Sequence, residues 1–136
     1  MTQLAGHAAS AHTPSTITEA RAHLGAHALL AQALLVVITD NDHDVLTVGR
    51  QAIAVYLTLD NYRRNFLRAG FTESDLDNGG SERLVRALVT DTANLRPAVD
   101  QHLDAGADHV TIGVRLTPEQ DLQPAYRRAA AALKLP

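Results

Sequence analysis

The chain has 136 residues, enough for one domain with its own core and too few for two domains of ordinary size. Its net charge of −3 gives no electrostatic footprint for nucleic acid and no attraction to an anionic membrane. The absence of cysteine excludes disulfides, thiolate zinc sites and cysteine nucleophiles.

The beginning of the chain carries no targeting signal, because residues 1–12 lack a basic segment followed by a long apolar one. The apolar run at residues 29–38 is too short to span a bilayer. We therefore expect a cytoplasmic protein. Residues 1–12 are small and polar without a period, which predicts a disordered N-terminus before a single domain at residues 13–136.

The first regular elements are a helix and a buried strand. Thr13, Pro14 and Ser15 begin a helix that Gly25 ends. Residues 33–39 are apolar without alternation, which favours a central parallel strand, with a buried helix as the alternative. After a turn, where Asp42 or Asp44 is the expected cap, apolar residues recur at helical spacing from Val45 to Leu59.

Helices dominate the middle of the chain. Residues 60–69 continue as a second helix, and Gly70 ends it. Phe71 with residues 72–75 predicts a hydrophobic staple and a capping box. Ser81 is the expected cap of the next helix. A further helix is expected to begin regularly at Pro97, since proline is tolerated in the first turn.

Residues 102–115 combine a helix end, a turn and a strand. Gly106 takes the left-handed position after the helix, and residues 110–114 supply a β-branched strand. A last helix covers residues 124–133. The expected class is α/β with a parallel sheet. Two strands leave unpaired edges and thinly covered faces, which predicts a missing part or a partner.

Several motifs of the middle and end of the chain resemble the luciferase-like (LLM-class) flavin- or deazaflavin-dependent oxidoreductases. Their order and spacing carry the resemblance, which covers roughly residues 13–130. The motifs are Tyr56-Leu57, Asn61-Tyr62, Gly70-Phe71, the acidic residues 74–77, Gly80-Ser81 and the closing residues 104–110. The chain departs from the family pattern at Asp60, where proline is usual, and at residues 90–92, where a glycine turn is common.

The resemblance implies the C-terminal portion of a TIM-type (β/α)₈ barrel, a fold that takes about 250 residues. Such enzymes move hydride between coenzyme F420 or FMN and an organic small-molecule substrate. The missing strands would carry most of the cofactor site, so we expect a fragment that is inactive alone. The expected partner is a complementing barrel half or a second copy. The alternative is a small non-catalytic α/β module that dimerises through residues 34–38 and 110–114.

The candidate cofactor-binding residues are Gly79, Gly80, Ser81 and Arg115. The first three precede a helix whose N-terminus could receive a phosphate, although a helix C-cap followed by an N-cap is the simpler explanation. Arg115 leaves the last strand at its carboxyl end, the catalytic face of a barrel, where it is either a cofactor contact or a solvated rim arginine. No catalytic residue is predicted.

Other polar groups have simpler explanations. His23 and His27 have metal-ligand spacing, but Gly25 interrupts their helix, so no metal site is expected. His109 lies at the face of a barrel that serves stability. The acidic pair Asp40 and Asp42 suits turn chemistry as well as proton transfer. The arginines at positions 63, 64 and 68 are typical of a solvated helix face.

Overall fold

A nine-residue strand at residues 29–37 occupies the centre of the structure, a computed structural model that describes residues 6–9 and 13–135. The strands are β1 (Gly6–Ala9), β2 (Leu29–Val37), β3 (Val89–Asp91) and β4 (His109–Arg115). The helices are α1 (Pro14–Leu24), α2 (Asp42–Ile53), α3 (Asp60–Arg68), α4 (Glu73–Leu76), α5 (Glu82–Leu88), α6 (Leu95–Asp104) and α7 (Leu122–Ala132), with a 3₁₀ turn at Tyr56–Thr58.

All pairing in the sheet is parallel and involves β2. β4 pairs along residues 31–37 of β2, β1 along residues 29–32 and β3 along residues 35–37. A strand has two edges, so β1 and β3 share the edge that β4 leaves free. One border of the sheet is therefore divided between two short strands, and β4 alone forms the other.

Helices cover both faces of this sheet. Leu35 and Val37 of β2 point into a core built with α2–α5, whose fully buried members include Leu84. Leu34, Val36 and Ile38 point the opposite way, into a core built with α6 and α7. α1 lies on that second face, where Ile17 packs with Leu30. Alternation along one apolar strand thus supports three layers.

The α/β class is confirmed, and the covering of both faces differs from the expected arrangement. A barrel segment carries helices on its outer face only. Here α2–α5 cover the other face as well, so the expectation of thinly covered faces is wrong for the described residues. Of the predicted dimer segment at residues 34–38, residues 35–37 are paired on both sides, by β3 and β4, so they present no open edge to a second copy.

Two short strands, β1 and β3, were not predicted from the sequence. Residues 6–9, expected to be disordered, form β1, whereas the same expectation for residues 1–5 and 10–12 lies outside the described residues. β3 has only three residues, too few for a pattern to be visible. β2 begins four residues before the predicted start, and α6 begins at Leu95, which keeps Pro97 in the first turn.

The predicted helix ends are mostly confirmed. Gly106 follows α6 with a φ of 119°, and a Cβ there would lie 3.1 Å from Arg21 Cβ. Ser81 Oγ accepts a hydrogen bond from Leu84 N at 3.1 Å. The cap of α2 is Asn41, and not Asp42 or Asp44: its Oδ1 accepts from His43 N at 2.8 Å.

Among the residues described, no helix combines the length and the apolar character needed to cross a bilayer.

Candidate functional site

The loop between α4 and α5 contains the predicted phosphate-binding residues. Three consecutive positive φ angles reverse the chain, 54° at Asn78, 80° at Gly79 and 102° at Gly80. Gly80 is buried, and its carbonyl accepts a hydrogen bond from Arg50 Nε at 3.0 Å. The loop thus places Ser81 at the N-terminus of α5, as the sequence predicts.

A carboxylate of the protein already lies at this helix start. Asp75 Oδ1 accepts a hydrogen bond from Ser81 Oγ at 2.7 Å, and Asp75 Oδ2 accepts from Thr72 N at 2.8 Å. Arg83 also donates to Oδ2, and its guanidinium carbon lies 4.5 Å from the Phe71 ring centroid. The charge of Asp75 repels a phosphate brought to the same donors.

The neighbours of Asp75 favour its ionised form. The hydrogen bond from the Arg83 guanidinium, and after it the one from Thr72 N, hold the pKa of this carboxyl well below its usual range. Ser81 contributes in the same direction. A carboxylate that is ionised at neutral pH and ties α4 to α5 has a structural role, so this arrangement favours the cap interpretation over the phosphate site.

The substitution Asp75→Asn is expected to destabilise the protein at neutral pH and to matter less in acid. Because the folded pKa is depressed, ionised Asp75 stabilises the fold above the unfolded pKa of about 3.9. That contribution is lost as the pH falls below this value toward the folded pKa. Urea unfolding at pH 7, 5 and 3 therefore should show a difference from wild type that shrinks only below about pH 4.

The exposed Asp104 at the end of α6 provides the matched control. The Asp104→Asn variant is expected to stay close to wild type at all three pH values. A deficit of Asp75→Asn that is the same at pH 3 and pH 7 would contradict the proposed role of the charge.

Arg115 lies at the end of β4, away from this loop. Its side chain is exposed, and it forms no ion pair with any residue in the described ranges. No hydrogen bond or ion pair among those residues joins Arg115 to Gly79, Gly80 or Ser81. The four predicted residues therefore do not form one site in this fold.

The other polar residues singled out in the sequence are either paired with other side chains or exposed and apart from one another. Asp40 pairs with Arg128 at 3.3 Å, whereas Asp42 lies 3.5 Å from Arg86, so the two carboxylates serve different arginines. His109 is exposed at the start of β4. Arg63 pairs with Glu73 at 3.0 Å, Arg68 pairs with Glu19, and Arg64 is exposed. His23 and His27 flank Gly25, and the described part of the chain contains no cluster of metal-ligating side chains.

The most extensive polar cluster was missed by sequence reasoning. Arg21 donates to the carbonyls of Gly25 at 2.8 Å and Ala28 at 2.7 Å, and to Gly106 O from both Nε and Nη2. Arg21 Nη2 also contacts Asp108 Oδ2, which accepts from Leu30 N at 2.8 Å. This Leu30 bond, followed by Arg21, lowers the pKa of Asp108.

The Arg21 cluster joins three elements at the amino end of the sheet: the end of α1, the start of β2 and the turn before β4. The only sequence signal was an acidic residue directly before the last strand. Nothing in the spacing of Arg21 and Asp108 pairs them.

Four cavities among the described residues have volumes of about 180, 230, 240 and 200 Å³. Ligand pockets usually measure about 300–1,000 Å³. The cavity of about 240 Å³ lies beside Ile38, past the carboxyl end of β2, and is lined by Gln120, Asp121 and Arg128. None of the four contains Gly79, Gly80, Ser81 or Arg115.

Comparison of the chain with protein-family models, with curated proteins and with solved structures finds no match.

Proposed function

We propose that the chain is the C-terminal part of a luciferase-like (LLM-class) oxidoreductase and that it does not transfer hydride by itself. The observation that supports the family is the order β1–β2–β4 across the sheet, with α1 and α6 on the same face. Successive βα units of a (β/α)₈ barrel are arranged in this way. The short strand β3 and the layer α2–α5 are additions to that pattern.

The layer α2–α5 supports the second half of the proposal. In a barrel, the face that carries Leu35 and Val37 looks into the interior, where the strands meet. Here both side chains are buried under α2–α5. A complementing barrel half would have to displace this layer before it reached the sheet, so a second copy of the chain is the better candidate partner.

The residues present do not fit a flavin-type cofactor. A phosphate at Ser81 would compete with the Asp75 carboxylate, which Ser81 Oγ already binds at 2.7 Å. Arg115 stands apart from that loop, and the cavities described above are small for a flavin or deazaflavin ring system. F420 or FMN therefore belongs to the complete enzymes of the proposed family, and no reaction step is assigned to this chain.

The alternative is a small non-catalytic α/β dimerisation module. One observation favours it: β4 leaves a full strand edge without a neighbour among the described residues. Only residues 110–114 of the two predicted dimer segments remain available for this role.

Titration of the purified chain with FMN and with F420, followed by cofactor fluorescence, tests the proposal. We expect no saturable change at cofactor concentrations up to about 1 mM, which corresponds to less than about 4 kcal/mol of binding. Saturable binding with hydride transfer would overturn the claim of inactivity. If binding were found, Arg115→Met and Ser81→Ala would show whether the predicted residues hold the cofactor.

A further inference from the structure

The outer edge of β4 carries the longest row of unpaired backbone N–H and C=O groups in the described sheet. β4 has seven residues and pairs with β2 along its whole length. In a parallel ladder, alternate residues direct their N–H and C=O groups away from the partner strand. No other strand of the described chain meets these groups, so β4 presents a ready template for another strand.

The opposite border of the sheet offers no comparable template. It consists of β1, with four residues, and β3, with three, which pair with separate parts of β2. Residues 33 and 34 of β2 pair with neither β1 nor β3. β4 is therefore the continuous border of the described sheet, and association by strand pairing must use it.

We propose that two copies of the chain pair through β4, antiparallel and related by a twofold axis. Two identical strands that meet edge to edge across such an axis present the same groups to each other, so the interface is self-complementary. Each copy uses its one continuous border in the pair. The assembly therefore closes at a dimer and does not grow into a fibre.

The surroundings of β4 leave room for the second copy on one face. The core of the α2–α5 layer contains no residue of β4, so that layer is centred on β2 and β3. The β4 side chains on this face are His109, Thr111 and Arg115, all exposed, with Gly113 between them. Exposed polar side chains with a glycine between them leave this face of β4 open to a neighbouring strand.

Side-chain chemistry is also complementary in the register centred on Ile112. That register places Arg115 of one copy opposite His109 of the other, twice, so a guanidinium donor faces an imidazole ring nitrogen. On the opposite face, Ile112 meets the partner's Ile112, and Val110, which is half-buried like Ile112, lies opposite the partner's Val114. Cross-strand pairs of this kind stabilise antiparallel sheets.

The predicted dimer is weak. A seven-residue strand edge buries less than the roughly 800 Å² per partner of a standard interface. We therefore expect a dissociation constant in the micromolar range, which sedimentation velocity between about 1 and 300 µM resolves. The dimer rests on the proposal that a second copy is the partner of this chain. Because no cofactor takes part in the pairing, a negative cofactor titration leaves the expected result unchanged.

The substitution Thr111→Lys tests the edge. A lysine on an edge strand is a common natural barrier to edge pairing, and the exposed position spares the core. We expect the dissociation constant to rise at least tenfold, with an unchanged circular dichroism spectrum. Thr47→Lys, at an exposed threonine of α2, is the matched control and should dimerise like wild type.

Disulfide trapping gives a second readout, because the chain has no cysteine of its own. Ile112→Cys lies on the proposed axis, opposite its own equivalent, and should form a covalent dimer under mild oxidation, whereas Thr47→Cys should not. A wild-type chain that stays monomeric at 300 µM, forms larger assemblies, or dimerises equally well with lysine at position 111 would overturn the proposal.

Discussion

Replacing Arg21 by methionine is expected to lower the free energy of unfolding by about 2–4 kcal/mol, measured by urea denaturation at pH 7. Methionine keeps the aliphatic length but removes every donor. The carbonyls of Gly25, Ala28 and Gly106 would lose their charged partner, and Asp108 would lose its cation. Because Arg21 is only 20% exposed, water replaces these bonds incompletely.

Two further arginine variants sharpen this test. Arg115→Met makes the same chemical change at an exposed residue without an ion pair, and should alter stability by less than about 0.5 kcal/mol. Arg21→Lys keeps the charge but loses the planar fork, so it should recover only part of the stability. Equal stabilities of the two methionine variants would show that the Arg21 cluster does not hold the fold together.

The second large effect is expected for Gly49→Ala, which should destabilise the protein by about 1–3 kcal/mol. Gly49 lies buried in α2, where α5 approaches closely. A Cβ there would lie 2.7 Å from Val85 Cγ1, and Val85 is itself fully buried. The overlap outweighs the gain of about 1 kcal/mol that alanine normally brings to a helix interior. Thermal or urea unfolding measures the net change in the free energy of unfolding that results from the overlap and the higher helix propensity.

A second substitution at the contacting residue separates crowding from other causes. Val85→Ala removes the methyl group that meets the new Cβ, so the double variant should be less destabilised than the two single changes predict together. Strict additivity would mean that α2 and α5 do not pack as described. It would also remove support for the layer that covers Leu35 and Val37.

Much of the local structure was predictable from the sequence because short-range chemistry determines it. The apolar run of β2 and the β-branched run of β4 were recognised, and both are strands. Ser81 caps α5, and Gly106 follows α6 in a left-handed conformation. In each case neighbouring residues are sufficient to explain the geometry.

The parts that were missed depend on residues distant in sequence. β3 is a strand only because residues 35–37 of β2 lie beside it. The placement of α2–α5 on one face follows from packing against Leu35 and Val37, which no period of the helices themselves encodes. The helix start at Ser81 was predicted correctly, but the interpretation of residues 79–81 required Asp75, whose contacts with Ser81 and Arg83 the sequence motif did not reveal.

The central position of β2 has a consequence for synthesis on the ribosome. β2 has a nearly uninterrupted apolar sequence, yet β4 follows roughly eighty residues later. At typical rates of translation, this apolar segment waits about 4–16 s for β4. Throughout that interval the edge that β4 will occupy is open on an uncharged segment of high β-propensity, the kind that nucleates aggregation and that chaperones bind. The yield of folded protein therefore depends on whether this segment is protected from aggregation until β4 is synthesised, as well as on the stability of the finished fold.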